Sequence, residues 1–183
     1  MKKNIFITGS AGFIGFSLAK SLLDRGHHIH GYDGMTKYYD VRLKRERNKI
    51  LKTYKNFSFT KAMLENEKTL KKVITKFKPK IIIHLAAQPG VRYSIEKPRT
   101  YLSSNIMGTF NIIEAAHKVN VNHLIVASSS SVYGANTSIP YRETDKTQTQ
   151  LSVYAATKRA TESIAHAYSN LWKLPTTMLR FFT

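Results

Sequence analysis

Two rhythms of apolar and polar residues take turns along this chain. Residues 4–8 (NIFIT) form a short apolar run with β-branched side chains, closed by Gly9, which is the pattern of a buried strand. Similar runs fall at residues 29–32, 57–60, 80–84 (KIIIH), 123–127 (HLIVA) and 176–181. KIIIH is apolar without alternation, as in strands that a parallel sheet buries on both faces. Between these runs the spacing turns helical. FSLAKSLLDRG is amphipathic and stops at Gly26, and helices are expected near residues 41–54, 67–76, 101–119 and 152–172. Two stretches fit neither rhythm and read as loops: AAQPGVRYSIEKPR, and residues 136–150, rich in Thr, Ser, Asp and Pro. Strand and helix alternate throughout, with no internal repeat and no linker. That predicts one α/β domain on a doubly wound parallel sheet, with helices on both faces.

Composition narrows this little and agrees with it. A chain of 183 residues, 42% of them apolar, suits a single domain with a real core. It has no cysteine, hence no disulfide framework and no thiolate metal site. His27, His28 and His30 crowd one strand start, but no acidic partner has ligand spacing; they read as an exposed strand edge and no metal is expected. No run approaches the roughly 20 apolar residues of a membrane span. The opening MKKNIFITGSAGFIG is broken by glycines and reads as strand and turn, not as a signal peptide. The expectation is a cytoplasmic protein with no membrane partner.

Charge raises one alternative. The formal net charge is +18, and 15 of the 29 basic residues fall between Lys37 and Lys80, with only four acidic ones. Such a segment suits either a nucleic-acid surface or the solvated faces of two Lys-rich helices. Its aromatics (Tyr38, Tyr39, Tyr54, Phe57, Phe59) follow no RNA-binding signature, so solvated faces are preferred and no nucleic acid is expected.

Chemistry enters at three places. The first strand runs into three glycines, Gly9, Gly12 and Gly15, and then a helix, which lets the backbone approach a pyrophosphate at the helix N-terminus. Asp33 ends the second strand 24 residues after Gly9, where a carboxylate accepts hydrogen bonds from an adenosine ribose. A carboxylate there repels a 2′-phosphate, so NAD is expected over NADP. Further on, Tyr154 and Lys158 lie one helical turn apart on one face, and the lysine charge favours the phenolate form of the tyrosine. A phenolate can take a proton from an alcohol. Alone, a YxxxK pair is common by chance; the upstream nucleotide signals give it meaning.

The glycines are spaced GxxGxxG, and there a family resemblance becomes specific. TGSAGFIG, HLAAQ, SNIMGTFNIIEAA, SSSSVYG, YAATK and LRFFT, in that order, resemble the extended short-chain dehydrogenase/reductase family, and within it the nucleotide-sugar 4-epimerases. HLAAQPGVRYSIEKPRTYLSSNIMGTFN and GYDGMTKYYDVRLK are similar to the branch acting on UDP-glucuronate. The resemblance covers nearly the whole chain. It implies a Rossmann-like sheet of about six strands in the order 3-2-1-4-5-6, a bound NAD and a UDP-sugar substrate.

By the same resemblance, Gly9, Gly12 and Gly15 with Phe13 and Ile14 hold the pyrophosphate, Asp33 the adenine ribose, and Leu64 packs on the adenine ring. His84, Leu85, Ala86 and Ala87 line the cofactor, and Asn105 sits in the central helix beside the active site as a substrate contact. Ser129 takes the catalytic Ser/Thr position, 25 residues before Tyr154. Tyr154 is the implied general base, and Lys158 its partner and a ligand of the nicotinamide ribose. Thr183 falls at a substrate-contacting position. The implied reaction converts UDP-glucuronate to UDP-galacturonate through a transient 4-keto sugar, for surface polysaccharide synthesis. Relatives pair through two long helices, here residues 101–119 and 152–172, so a homodimer is expected.

Three departures shape the expectation. Dehydratases of the family carry an Asp-Glu pair after the catalytic Thr; Ser130 and Ser131 stand here, with no acid to protonate a leaving hydroxyl and with hydroxyls suited to a sugar carboxylate. Many relatives place an adenine-binding Asp where this chain has Met63. The family also continues well past LRFFT into a smaller substrate-binding region, so residues 1–183 are expected to be the NAD-binding domain with that region absent. Three readings follow: a UDP-sugar 4-epimerase, a decarboxylase or reductase of the same family, or an NAD-binding remnant without turnover. Arg92 and Tyr93 are placed to meet a substrate phosphate or carboxylate, or to stay on a loop surface. Arg180 is either structural or reaches substrate, and Trp172 reads as packing.

Overall fold

The first apolar run becomes the middle of the sheet. In a computed structural model that describes residues 2–182, β1 (Asn4–Thr8) pairs in parallel with β2 (His28–Asp33) on one side and β4 (Ile81–His84) on the other. β3 (Phe57–Lys61) joins outside β2, while β5 (His123–Ser129) and β6 (Thr176–Phe181) extend the sheet beyond β4. All pairings are parallel and the order is β3-β2-β1-β4-β5-β6, as the family resemblance implied.

The period of two along β1 splits the core into two halves. Ile5 and Ile7 join Ala19, Leu23, Ile29 and Leu51 under α1 (Phe13–Asp24) and α2 (Val41–Leu51). Phe6 points the other way, into a larger cluster with Leu70, Ile74, Ile112 and Ala165. That second layer is built from α3 (Glu67–Phe77) and two helices reached later in the chain. The sheet therefore separates the basic faces of α2 and α3, and the Lys-rich segment does not form one continuous patch.

Side-chain caps fix where helices begin. Asp40 accepts from Arg42 N at the start of α2, and Asn66 from Thr69 N at the start of α3. The loop expected after β4 is partly helical. It holds a short turn, α4 (Val91–Glu96), and then α5 (Pro98–Tyr101), entered at a proline whose fixed φ suits a first helical position. α5 runs without a break through a π-helical stretch (Leu102–Met107) into α6 (Gly108–Lys118). α7 (Val153–Trp172) starts at Ser152, whose side chain accepts from Ala155 N.

One expectation about the histidines is corrected. β2 is an interior strand, not an edge, because β3 covers it. His30 is buried against Phe6 and Phe77 and shares hydrogen bonds with Ser58 and Thr60, apart from the more exposed His27 and His28. Among the described residues, no helix is long and apolar enough to cross a membrane.

Candidate active site

The glycine turn between β1 and α1 is shaped by close backbone contacts. Gly9 has φ +69° and donates its N–H to Tyr32 O at 2.8 Å; a Cβ there would lie 2.9 Å from Ala86 N. A Cβ at Gly15 would collide with the Gly9 carbonyl oxygen. Larger residues at either position would push the turn open. Gly12 is the N-cap of α1, no side chain caps that end, and no acidic residue sits in its first turn. The free N–H groups and the helix dipole there favour an anion. Phe13 and Ile14, the next two residues, are exposed at the mouth of the turn.

Asp33 stands where β2 ends and is held from both sides. Its Oδ2 accepts from Ala11 N at 3.2 Å and its Oδ1 from Met35 N at 2.7 Å. It lines a cleft of about 150 Å³ with Gly9, Met63, Leu64, Leu85, Ala86 and Ala87. These residues come from the ends of β1, β2 and β4 and the segment after β3, which is the crevice at the carboxyl edge of a doubly wound sheet. Met63 forms part of the wall where a carboxylate was expected in relatives, and Tyr32 Oη donates to its carbonyl.

His84 does not line this cleft, which corrects the expectation for it. It is buried in the sheet, sharing hydrogen bonds with Thr8 Oγ1 at 2.7 Å and Thr109 Oγ1 at 2.9 Å. Burial and the nearby Lys158 charge push its pKa down to about 3, so it is a neutral brace between β1, β4 and α6.

The second half of the site lies where β5 meets α7. Lys158 is buried and donates from Nζ to Ala127 O at 2.9 Å, pinning α7 to the end of β5 two residues before Ser129. Burial lowers its pKa to about 8, so it is still largely cationic at neutral pH. Tyr154 lies half-buried one turn earlier on the same helix, edge-on to Tyr101 at 6.1 Å. Ser129 Oγ accepts from Ser131 N at 3.2 Å, which leaves its own proton to donate elsewhere. Ser130 follows in a 3-10 turn (Ser130–Tyr133) that packs against α7. The fold thus gathers Ser129, Ser130, Tyr154 and Lys158 at one corner.

Other expected residues sit differently. Asn105 was read as a substrate contact, yet it is buried with its amide committed: Nδ2 donates to Gln88 O and Thr157 Oγ1, and Oδ1 accepts from Gln88 N. It braces the segment after β4 against α7. Arg92 is exposed on α4, beside a row of rings in which Tyr38, Tyr93, Tyr101 and Tyr154 follow at 5.3, 6.3 and 6.1 Å. Arg180 turns inward to Glu162 and lies over the Tyr133 ring at 4.9 Å. Trp172 packs on Tyr168 and His117, as expected. Thr183 lies outside the described residues.

Two residues went unassigned in the sequence, Glu162 and Lys44. Glu162 accepts from Ser128 Oγ at 2.6 Å and binds Arg180 through both oxygens, a contact no spacing rule exposes. Lys44 approaches Asp33 Oδ1 at 3.6 Å. Its signal was available, since a lysine on the inward stripe of an amphipathic helix is out of place.

The sequence profile of the family described as GDP-mannose 4,6 dehydratase matches residues 6–183. The chain is 54% identical over 179 residues to Protein CapI of Staphylococcus aureus, covering 98% of this chain and 53% of that protein. It is 43% identical over 180 residues to UDP-glucuronate 4-epimerase 4 of Arabidopsis thaliana, covering 98% and 41%. The structure superposes with a TM-score of 0.90 on the UDP-glucuronic acid 4-epimerase of Bacillus cereus, solved with UDP-glucuronic acid and NAD, at 32% identity and covering 98% and 56%. The chain spans about half the length of the curated relatives it matches.

Proposed function

The chain belongs to the family described as GDP-mannose 4,6 dehydratase, and from that premise we propose that residues 1–183 form the NAD-binding domain of a UDP-sugar 4-epimerase acting on UDP-glucuronate. The observation that carries this is the corner where the Lys158–Ala127 bond pins α7, which bears Tyr154, to the end of β5 two residues before Ser129. The names of the relatives support an epimerase, and Ser130 and Ser131 favour it over dehydration, which needs a proton donor for a leaving hydroxyl. The same reading puts the reaction in the cytoplasm, in the synthesis of a surface polysaccharide.

The residues present fit NAD. The turn gives its backbone to the pyrophosphate at the uncapped start of α1, with Phe13 and Ile14 alongside, and Asp33 faces the ribose end of the cleft. Leu64 would pack on the adenine, with Leu85, Ala86 and Ala87 continuing the wall of the cleft. When bound, NAD supplies the hydride acceptor and donor for carbon 4 of the sugar. Tyr154 as phenolate takes the proton of the 4-hydroxyl and returns it to the epimer. Lys158, fixed by Ala127 O and cationic, would meet the nicotinamide ribose and offer positive charge on the helix face that bears Tyr154. Ser129 donates its free proton to the oxygen on carbon 4, and Ser130 and Arg92 meet the sugar carboxylate or diphosphate. We further infer a homodimer through the helical stretches of residues 101–119 and 152–172.

Purified chain incubated with NAD and UDP-glucuronate should yield UDP-galacturonate. Tyr154→Phe should slow that conversion by about 10²-fold or more, the usual contribution of a general base. Near-normal turnover by Tyr154→Phe would remove the tyrosine from the mechanism. NAD binding by the unsubstituted chain with no product would replace the epimerase by a cofactor-binding module.

A further inference from the structure

Lys44 is out of keeping with the helix that carries it. α2 turns Lys44, Asn48 and Leu51 toward the sheet, and nothing in the packing of that stripe asks for a cation. The side chain is only 9% exposed. Its ammonium lies 3.6 Å from Asp33 Oδ1, donates to Thr36 Oγ1 at 3.3 Å and sits 5.1 Å from the centre of the Tyr39 ring. Both oxygen contacts are long, so an ammonium with three donors keeps capacity for another acceptor in a place where an unfilled one is costly.

The geometry shows where that acceptor comes from. Asp33, Gly34, Thr36 and Lys44 line one wall of the cleft that begins at Gly9. Ala11 N and Met35 N fix the Asp33 carboxylate, one on each oxygen, and each oxygen retains a lone pair for a ligand hydroxyl. Tyr39 is itself steadied by Arg47, which donates to Tyr39 Oη at 3.2 Å and to Ala11 O at 3.5 Å. Carboxylate, ammonium and glycine turn are thus tied into one structure. A carboxylate alone accepts from ribose hydroxyls and repels a 2′-phosphate. A carboxylate paired with an ammonium also offers a donor, and the pair is close to neutral.

We propose that Lys44 is a specificity-determining residue of the adenosine site, donating to the ribose 2′-oxygen beside Asp33 and setting how strongly a 2′-phosphorylated cofactor is refused. The proposal rests on the NAD reading above. It corrects the simpler view that the Asp33 carboxylate alone decides between NAD and NADP.

The test is calorimetric titration of the 183-residue chain with NAD+ and with NADP+, at one fixed salt concentration. Lys44→Met should weaken NAD+ by about three- to tenfold, the loss of one charge-assisted hydrogen bond. It should weaken NADP+ by at least about ten times more than that, because a dianion loses the counter-charge that Lys44 supplies in this wall. Lys44→Arg should restore the original ratio, and Asp33→Asn, with Lys44 kept, should move the ratio toward NADP+. Equal losses for both cofactors in Lys44→Met would reduce Lys44 to a structural role and overturn the proposal. So would an unchanged ratio. Circular dichroism of each variant separates loss of the site from loss of the fold, with Lys44→Gln standing in if the methionine variant unfolds. An unsubstituted chain that binds neither cofactor would overturn the NAD reading itself, a different failure from an unmoved ratio.

Discussion

Burial has stripped two histidines of their charge. His84 has its pKa pushed down to about 3 by burial and by Lys158, and His30 to about 4 by burial. The ordinary value is about 6.5, so below that pH the unfolded chain takes up protons that the folded one refuses. Both folded values lie below the unfolded one. Stability from these sites is therefore complete above pH 6.5 and falls as the pH drops from there toward 4 and 3. Lys158 acts in the alkaline range with the same sign: with its folded value near 8 and its ordinary value 10.5, stability gains as pH rises between those two. Thermal melting between pH 7 and pH 4 should show a steadily falling midpoint, and replacing His84 with Asn should flatten the slope. A melting point level across that range would contradict the neutral burial of both rings. At this scale the sequence was readable where function is local. Gly9 and Gly15 stood out by their spacing on one turn, and Tyr154 and Lys158 by theirs on one helix. His84 was misread because its partners, Thr8 and Thr109, come from β1 and α6.

Three elements meet at Glu162. β5 and β6 pair with Ser128 opposite Arg180, and α7 lowers Glu162 onto both. Burial alone would raise the Glu162 carboxyl, but Arg180, Ser128 and Arg159 together hold it below its ordinary value, so it stays ionised. Arg180 also donates to Glu143 O, tying the long loop before α7 to the same point. Glu162→Ala leaves a largely buried guanidinium without its carboxylate and should cost about 3 kcal/mol in urea unfolding. Proteolysis within residues 134–150 should quicken in the same variant. An unchanged unfolding midpoint would mean the pair is dispensable. Strand positions were legible because the runs of β1, β4 and β5 are buried along most of their length, and helix starts because Asp40, Asn66 and Ser152 cap them. The turn at Val91–Glu96 and the π-helical stretch were not. Glycine and proline around α4 read as a loop, and a π-helical register shift leaves no mark in apolar spacing.

For the whole molecule the unpartnered surface and the charge pull in opposite directions. Leu102 and Met107 are 50% and 52% exposed beside a groove they share with Ile106 and Arg99, and Leu171 is exposed near the end of α7. These residues lie on the helical layer through which a homodimer is proposed, and covering them would remove apolar surface from water. Each chain also carries a formal charge of +18, which repels a second copy. Salt screens that repulsion over a Debye length of about 8 Å at physiological ionic strength, while leaving the apolar contact intact. Light scattering at micromolar concentration should therefore find more dimer at 0.5 M salt than at 0.05 M, and Leu102→Arg with Met107→Arg should shift the chain to monomer at both. A nucleic-acid surface would behave the other way, since salt weakens phosphate contacts by counterion release. Monomer at every salt concentration would overturn the pairing, and mass gained on adding oligonucleotide at low salt and lost at high salt would return the lysines of α2 or those of α3, on opposite sides of the sheet, to consideration as a binding face.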